Sequence, residues 1–231
     1  MRISKVPSKV SISVARSRVW QDRVYTVHNL RDKLLLATSN HGKVTEFTQL
    51  LQGVDLKLVS LAELGIRDTV DETGTTFLEN AILKATTYST LTGMLTLSDD
   101  SGLEVDALNG RPGIRSARYG SAELSDEQRV ELILQELNDI PWKGRTARFR
   151  CVIAIAGLSG RTYTVEGVLE GVIQCQPEGS NGFGYDPIFY VPGKGCTTAQ
   201  LSATEKNVIS HRGKAARRAA ALFEAGILDL I

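Results

Sequence analysis

The sequence predicts an α/β protein, a mixed β-sheet flanked by helices, and three features carry that expectation. An apolar run, a turn, an amphipathic helical segment and a second apolar run succeed one another within residues 33–60, the order in which a helix joins neighbouring strands. Residues 147–155 then alternate apolar and polar, turn at Gly157–Gly160, and alternate again through Tyr163 and Val165. That is the pattern of an antiparallel hairpin. The chain closes on an Ala-rich helical segment ending at Gly226.

Each element follows from its residues. Lys33–Thr38 reads as a buried strand. Ser39-Asn40-His41-Gly42 supplies turn chemistry with a capping residue, and Lys43 opens a helix with Val44, Phe47, Leu50 and Leu51 on one face. A second strand lies near Leu56–Ser60. Asp71-Glu72-Thr73-Gly74 is a polar turn before a helix that buries Phe77, Ala81, Ile82 and Ala85. Met94–Leu97 is a short strand expected to empty into a loop at Asp99-Asp100-Ser101-Gly102, with Leu103–Val105 resuming an extended run. Asn109–Gly113 is a loop, and residues 126–137 form an amphipathic helix with Asp126 and Glu127 in its first turn. Ser202-x-x-Glu205 is a capping box, and a helix spans about Ser210 to Glu224.

Composition narrows the function classes. The chain has 231 residues, 42% of them hydrophobic and 23% charged, ordinary for one globular domain and unlike a disordered chain. No run approaches the ~20 apolar residues that span a bilayer. Three cysteines, Cys151, Cys175 and Cys196, form neither a disulfide framework nor a C-x-x-C metal pair. The net charge of +1 hides an asymmetry: residues 1–33 carry eight Lys/Arg against two Asp, and the rest holds 19 basic and 24 acidic residues. The acidic body argues against a nucleic-acid partner and suits carboxylates that hold a metal. Residues 1–30 are rich in Arg, Ser and Val without the apolar core of a secretory signal. A poorly ordered extension over residues 1–32 is the favoured reading, with an organelle transit peptide as the alternative to a cytoplasmic protein.

Four segments carry chemistry. Adjacent carboxylates at Asp99 and Asp100 repel and need solvent or a cation, and oxygen-only ligands favour Mg²⁺ over zinc. An exposed acidic turn is the competing reading. Thr38–Lys43 joins a strand to a helix N-terminus, where backbone N–H groups and Lys43 suit a phosphate, although an ordinary capped helix looks the same. Ser180–Pro187 places two glycines and two aromatics in one loop, either to stack on a planar base or to plug the core. Lys206 and Ser210–Lys214 cluster cations at the expected start of the last helix, where they call for an anionic partner or form a solvated face. No G-x-S-x-G elbow accompanies Ser101, which sets aside a serine hydrolase.

In this order, LLLATSNHGKVTEF, ETGTTFLENAILKA, LSDDSGLEVDALNGRPGIRSARYG, GSNGFGYDPIF and ATEKNVISHRGKA resemble the inosine triphosphate pyrophosphatase family across residues 33–225. The resemblance implies a long twisted mixed sheet in two lobes with a central cleft, one domain over residues 33–231, and a homodimer. It implies Mg²⁺-dependent hydrolysis of ITP, dITP and XTP to the monophosphate and pyrophosphate. By position, Thr38, Ser39, Asn40, His41, Gly42 and Lys43 would hold the triphosphate, His41 through its backbone alone. Asp100 would accept a proton and bind Mg²⁺, Ser101 would touch substrate, and Glu72 would be a second metal ligand, with Asp71 as its rival. Phe183, Gly184, Tyr185 and Asp186 would form the base pocket with Lys206, His211 and Arg212.

Overall fold

A computed structural model of the chain describes residues 32–226. Seven strands form one sheet: β1 (Lys33–Leu36), β2 (Lys57–Ser60), β3 (Leu95–Val105), β4 (Thr146–Ala156), β5 (Thr162–Ile173), β6 (Phe189–Val191) and β7 (Cys196–Thr197). Their order is β2-β1-β3-β4-β5-β6-β7, with β1 parallel to β2 and β3 and every later pairing antiparallel. The expected mixed sheet and the β4–β5 hairpin are both present.

Helices α1 (His41–Leu50) and α5 (His211–Glu224) cover one face of the proximal sheet, and α2 (Phe77–Thr92) covers the other. Leu97, Cys151, Ile153 and Ile155 pack with Phe47 and the Ala-rich face of α5, while Val152, Ala154 and Ala156 meet Phe77, Ala81 and Ala85 of α2. Strand alternation thus feeds two cores at once. Farther along β3–β5, a separate core joins Leu103, Val105, Phe149, Leu169 and Ile173 to Val130 and Ile133 of α3 (Asp126–Glu136) and to Tyr185 and Phe189. The two hydrophobic bodies share the long central strands, and a cleft opens between them.

Local expectations mostly hold. Asn40 caps α1 by accepting from the Lys43 N–H, and Ser125 caps α3 in a reciprocal box with Gln128. One correction and one refinement matter for the site. First, Asp99–Gly102 is not a loop: β3 runs unbroken from Leu95 to Val105, paired with β4 throughout. Polar residues tolerate this because the β1 ladder ends at Leu36↔Leu97 and the Arg111–Ser116 segment takes up the same edge only from Leu103 on, which leaves the stretch between them facing the cleft without a strand partner. Second, the cationic cluster at the last helix's start draws Lys206 from the helix before it. Ser202 caps a separate short helix, α4 (Ala203–Ile209), which carries Lys206, and Ser210 caps α5. The N-terminal extension, and with it the transit-peptide alternative, lies outside the described residues.

Candidate active site

A cavity of about 240 Å³ opens at the free edge of β3. Around it lie Asn40 and Lys43 from the β1–α1 junction, Asp100 and Ser101 from β3, Glu72, Phe183, and His211 and Arg212 from α5. The chain brings these together because β1 stops short of β3 and turns into α1 at that point.

Asp99 and Asp100 do not share a site. Asp99 faces α1 and α5, where it is fully buried. Lys43 Nζ lies 2.8 Å from it, Arg212 Nη2 3.8 Å, and the Ser101 hydroxyl donates to it at 2.9 Å. Burial alone would raise its pKa, but Lys43, then Arg212 and Lys84, hold the carboxyl well below the usual range. Asp100 faces α2, where Asn80 Nδ2 donates to it at 3.1 Å and Lys84 Nζ lies 3.4 Å away. Here burial prevails over Lys84 and Lys43, the nearby Glu72 adds to it, and the pKa is raised. One carboxyl is held ionised, and its neighbour's pKa is shifted the opposite way.

Glu72 reaches the same cavity from the turn before α2. It accepts from Lys84 Nζ at 2.6 Å and Arg118 Nη1 at 2.9 Å, so Lys84 bridges Glu72 and Asp100. Burial pushes the Glu72 carboxyl up, but Lys84 and Arg118 outweigh it and the net shift is downward. Among the described residues no group of three or more His, Cys, Asp and Glu could hold a metal alone. The four oxygens of Glu72 and Asp100 accept from Lys84, Arg118 and Asn80, each keeping a second lone pair, and such an oxygen-only pair is the donor set expected when phosphate and water complete the shell of Mg²⁺. The residues therefore fit that ion.

The cationic side chains find their anions within the protein. Lys206 Nζ contacts Asp186 at 2.5 Å and Glu46 at 2.8 Å, and Arg212 contacts Glu46 at 2.5 Å and the Ser101 hydroxyl at 2.9 Å. Burial would raise the Glu46 carboxyl, but Arg212 and Lys206 outweigh it and lower it. The anionic partner expected for the cluster is found inside the protein, in Glu46 and Asp186. Arg212 nevertheless keeps its Nε buried without a partner.

The aromatic loop divides between the two readings open for it. Tyr185 is a core residue, 5% exposed, whose hydroxyl donates to the Ser116 carbonyl at 2.9 Å. Asp186 is a buried brace, accepting from Lys206, the Phe183 N–H and Thr198. Phe183 presents its ring to the cleft, with Arg212 Cζ 5.5 Å and Lys206 Nζ 5.1 Å from the ring centre. A Cβ at Gly42 would lie 2.7 Å from that ring, so only glycine admits it there. His211 stacks on Phe149 at 4.7 Å with Nδ1 buried and unpartnered, and burial, then Arg212, holds it neutral. Thr38 turns inward, accepting the Asn40 N–H at 3.2 Å, while Ser39 and His41 are exposed.

Sequence reading missed Glu46, Asn80, Lys84 and Arg118. Asn80 and Lys84 had a legible signal, since they interrupt the buried stripe of α2 one turn apart. Glu46 lies one turn after Lys43 on a face that looks solvated in one dimension.

An α/β fold with lysines, acids and an aromatic around one interlobe cleft defines a protein built for a polyanion attached to a ring. The chain matches the Ham1 family over residues 34–222, and it belongs to that family. The dITP/XTP pyrophosphatase of Geobacter sulfurreducens is 47% identical over 79% of this chain and 92% of its own. That of Bacillus subtilis is 47% identical over 83% of this chain and 96% of its own. The Ham1 protein structure from Coxiella burnetii is 40% identical with a TM-score of 0.77, covering 84% of this chain and 99% of that one. Among the described residues no helix is long and apolar enough to cross a membrane.

Proposed function

We propose that this chain hydrolyses non-canonical purine nucleoside triphosphates, ITP, dITP and XTP, to the monophosphate and pyrophosphate, with Mg²⁺ as cofactor. The observation that carries it is one cavity lined by Lys43, by the carboxylates Asp100 and Glu72, and by Phe183 beside Lys206, His211 and Arg212. Relatives named dITP/XTP pyrophosphatase at 47% identity over most of the chain support the reading.

Thr38–Lys43 holds the triphosphate, with the α1 N-terminus and Lys43 supplying donors and charge. Glu72 and Asp100 would hold the Mg²⁺, which would neutralise phosphate charge and lower the pKa of a water. Asp100 takes the proton from the attacking water; a raised pKa suits that task. Water oxygen bonds to the α-phosphorus, the bond from that phosphorus to the bridging oxygen breaks, and pyrophosphate leaves intact. Phe183 stacks on the base. Arg212, a donor only, donates to an oxo group at the 6-position and opposes the amino group of adenine. The working form is a homodimer in the cytoplasm, with residues 1–32 outside the catalytic body.

Pyrophosphate release from ITP measured beside ATP, GTP and dTTP tests the assignment, with ITP expected to lead. Equal release from all four would point to an unselective phosphohydrolase, and binding without release to a regulator. In ¹⁸O-labelled water the label enters the monophosphate; label in pyrophosphate alone would refute α-attack.

A further inference from the structure

The Ser180–Pro187 loop is gripped from the α3 side by a contact that none of the residues above explains. Asp126, the first residue of α3, accepts the Gly184 N–H through Oδ2 at 2.9 Å. Through Oδ1 it accepts from Arg129 Nη1 at 3.0 Å. Arg129 is only 7% exposed and lines the cleft, and its Nε is buried without a partner. Its other contact, Nη2 to the Ala122 carbonyl, is long at 3.4 Å. A guanidinium so buried, with one good bond, is costly for stability alone. Its position is explained by what it holds.

We propose that Asp126 and Arg129 are positioning residues that fix the aromatic loop so that Phe183 meets the base. Gly184 has φ +63°, a left-handed backbone whose N–H direction is set at the residue following Phe183. Tyr185, the next residue, is tied to Ser116 of the short helical turn Gly113–Arg118. Two successive residues are therefore anchored on the distal body while Phe183 projects over Gly42 on the proximal one. Asp126 is well suited to the grip, because the helix N-terminus stabilises its charge and Arg129 fixes its rotamer. The clasp acts on binding of the ring, not on phosphate chemistry.

This inference rests on the reading that Phe183 faces a base, so the test has one readout that needs no turnover. Amide hydrogen exchange of the ligand-free protein over residues 180–187 should quicken in Asp126→Ala. It should stay at the wild-type rate in Glu127→Gln, which removes an exposed carboxylate from the same helical turn. In kinetics, Asp126→Ala should raise KM for ITP about tenfold, the effect of losing one charge-assisted hydrogen bond, with kcat held within about twofold. Inorganic triphosphate, which lacks a base, should inhibit both proteins equally. Arg129→Leu should weaken ITP in the same way and Arg129→Lys should restore it. Unchanged exchange at 180–187, equal effects of the Asp126 and Glu127 variants, or parallel loss of triphosphate binding would overturn the clasp. A wild-type chain that ignores ITP would sink the proposed function, and the exchange measurement would still decide the clasp.

Discussion

Asp99 and Asp100 are chain neighbours whose carboxylates leave opposite faces of β3, and each meets its own lysine. Asp99 lies 2.8 Å from Lys43 on the α1 side and Asp100 3.4 Å from Lys84 on the α2 side. The strand's period of two separates them, which weakens their like-charge repulsion, and Lys43 and Lys84 each act on both. The same alternation divides the labour. Asp99 braces Lys43 and Arg212, and Asp100 faces the cleft with Glu72.

The first prediction contrasts the pair. Asp100→Asn should lose turnover by ~10²-fold or more, the worth of a positioned base. It should not lower stability at neutral pH. A raised folded-state pKa means the folded protein favours the protonated acid, so the stability this group contributes falls as pH rises through that pKa. Asp99→Asn should do the reverse. Its lowered pKa gives stability above the unfolded value, and leaving Lys43 and Arg212 without it costs about 3–5 kcal/mol. Urea unfolding of both variants separates the roles; equal destabilisation would refute the division.

Lys84 stands where it can offset both acids of the cleft before any divalent cation does. Burial would lower its pKa, but Asp100, Asp99 and Glu72 outweigh that and raise it, so the ammonium stays charged. Lys84→Met should leave Glu72 and Asp100 repelling each other. Its thermal midpoint in EDTA should drop, and Mg²⁺ should raise it by more than it raises the wild type. An Mg²⁺ response no larger than that of the wild type would remove Lys84 from the acidic pair.

Much of the site was legible in the sequence, and the limits have physical causes. The β1–α1 junction could be read because a capping Asn and a helix-opening Lys are local signals. Asp99–Gly102 was misread as a loop because a carboxylate-rich stretch is rare in a strand; the free edge that permits it depends on where β1 ends, a non-local fact. Tyr185 and Phe183, two residues apart, are both aromatic, but the Tyr185 hydroxyl ties its ring into the distal core while the Phe183 ring lies at the cleft, a division no local pattern encodes. Glu46 is invisible in one dimension because its partners Lys206 and Arg212 are 160 and 166 residues away.

The family match begins at residue 34, inside the first strand. Deleting residues 1–31 should therefore leave the thermal midpoint and ITP turnover nearly unchanged. A clear loss in either would show that the extension packs on the body.

His211 sets a pH limit on stability. Burial first, then Arg212 and Lys206, keep it neutral in the fold, whereas the unfolded chain protonates it near its ordinary value. A base with a depressed folded pKa contributes stability that is complete above the unfolded value and erodes as pH falls below about 6.5, by up to about 1.4 kcal/mol per pH unit. Urea unfolding at pH 7.5 and 5.5 should show that loss in the wild type and a shallower slope in His211→Asn. Identical slopes would mean that His211 does not titrate on unfolding.

The final prediction concerns base choice at Arg212. Its guanidinium is 3% exposed, faces Phe183 at 5.5 Å, and is fixed by Glu46 and Ser101. A rigid fork of donors bonds an oxo group but meets adenine's amino group donor to donor, and an unpaired buried polar group costs roughly 1–3 kcal/mol, about tenfold or more in selectivity. Arg212→Ala should depress kcat/KM for ITP strongly and for ATP much less, moving their ratio toward unity. Because Ala also strips Glu46 of a partner, Arg212→Lys provides the check: charge against Glu46 is kept while the planar fork is lost. That variant should hold its thermal midpoint closer to wild type and still lose selectivity. If both substrates fall by the same factor in both variants, Arg212 braces Glu46 and does not read the base.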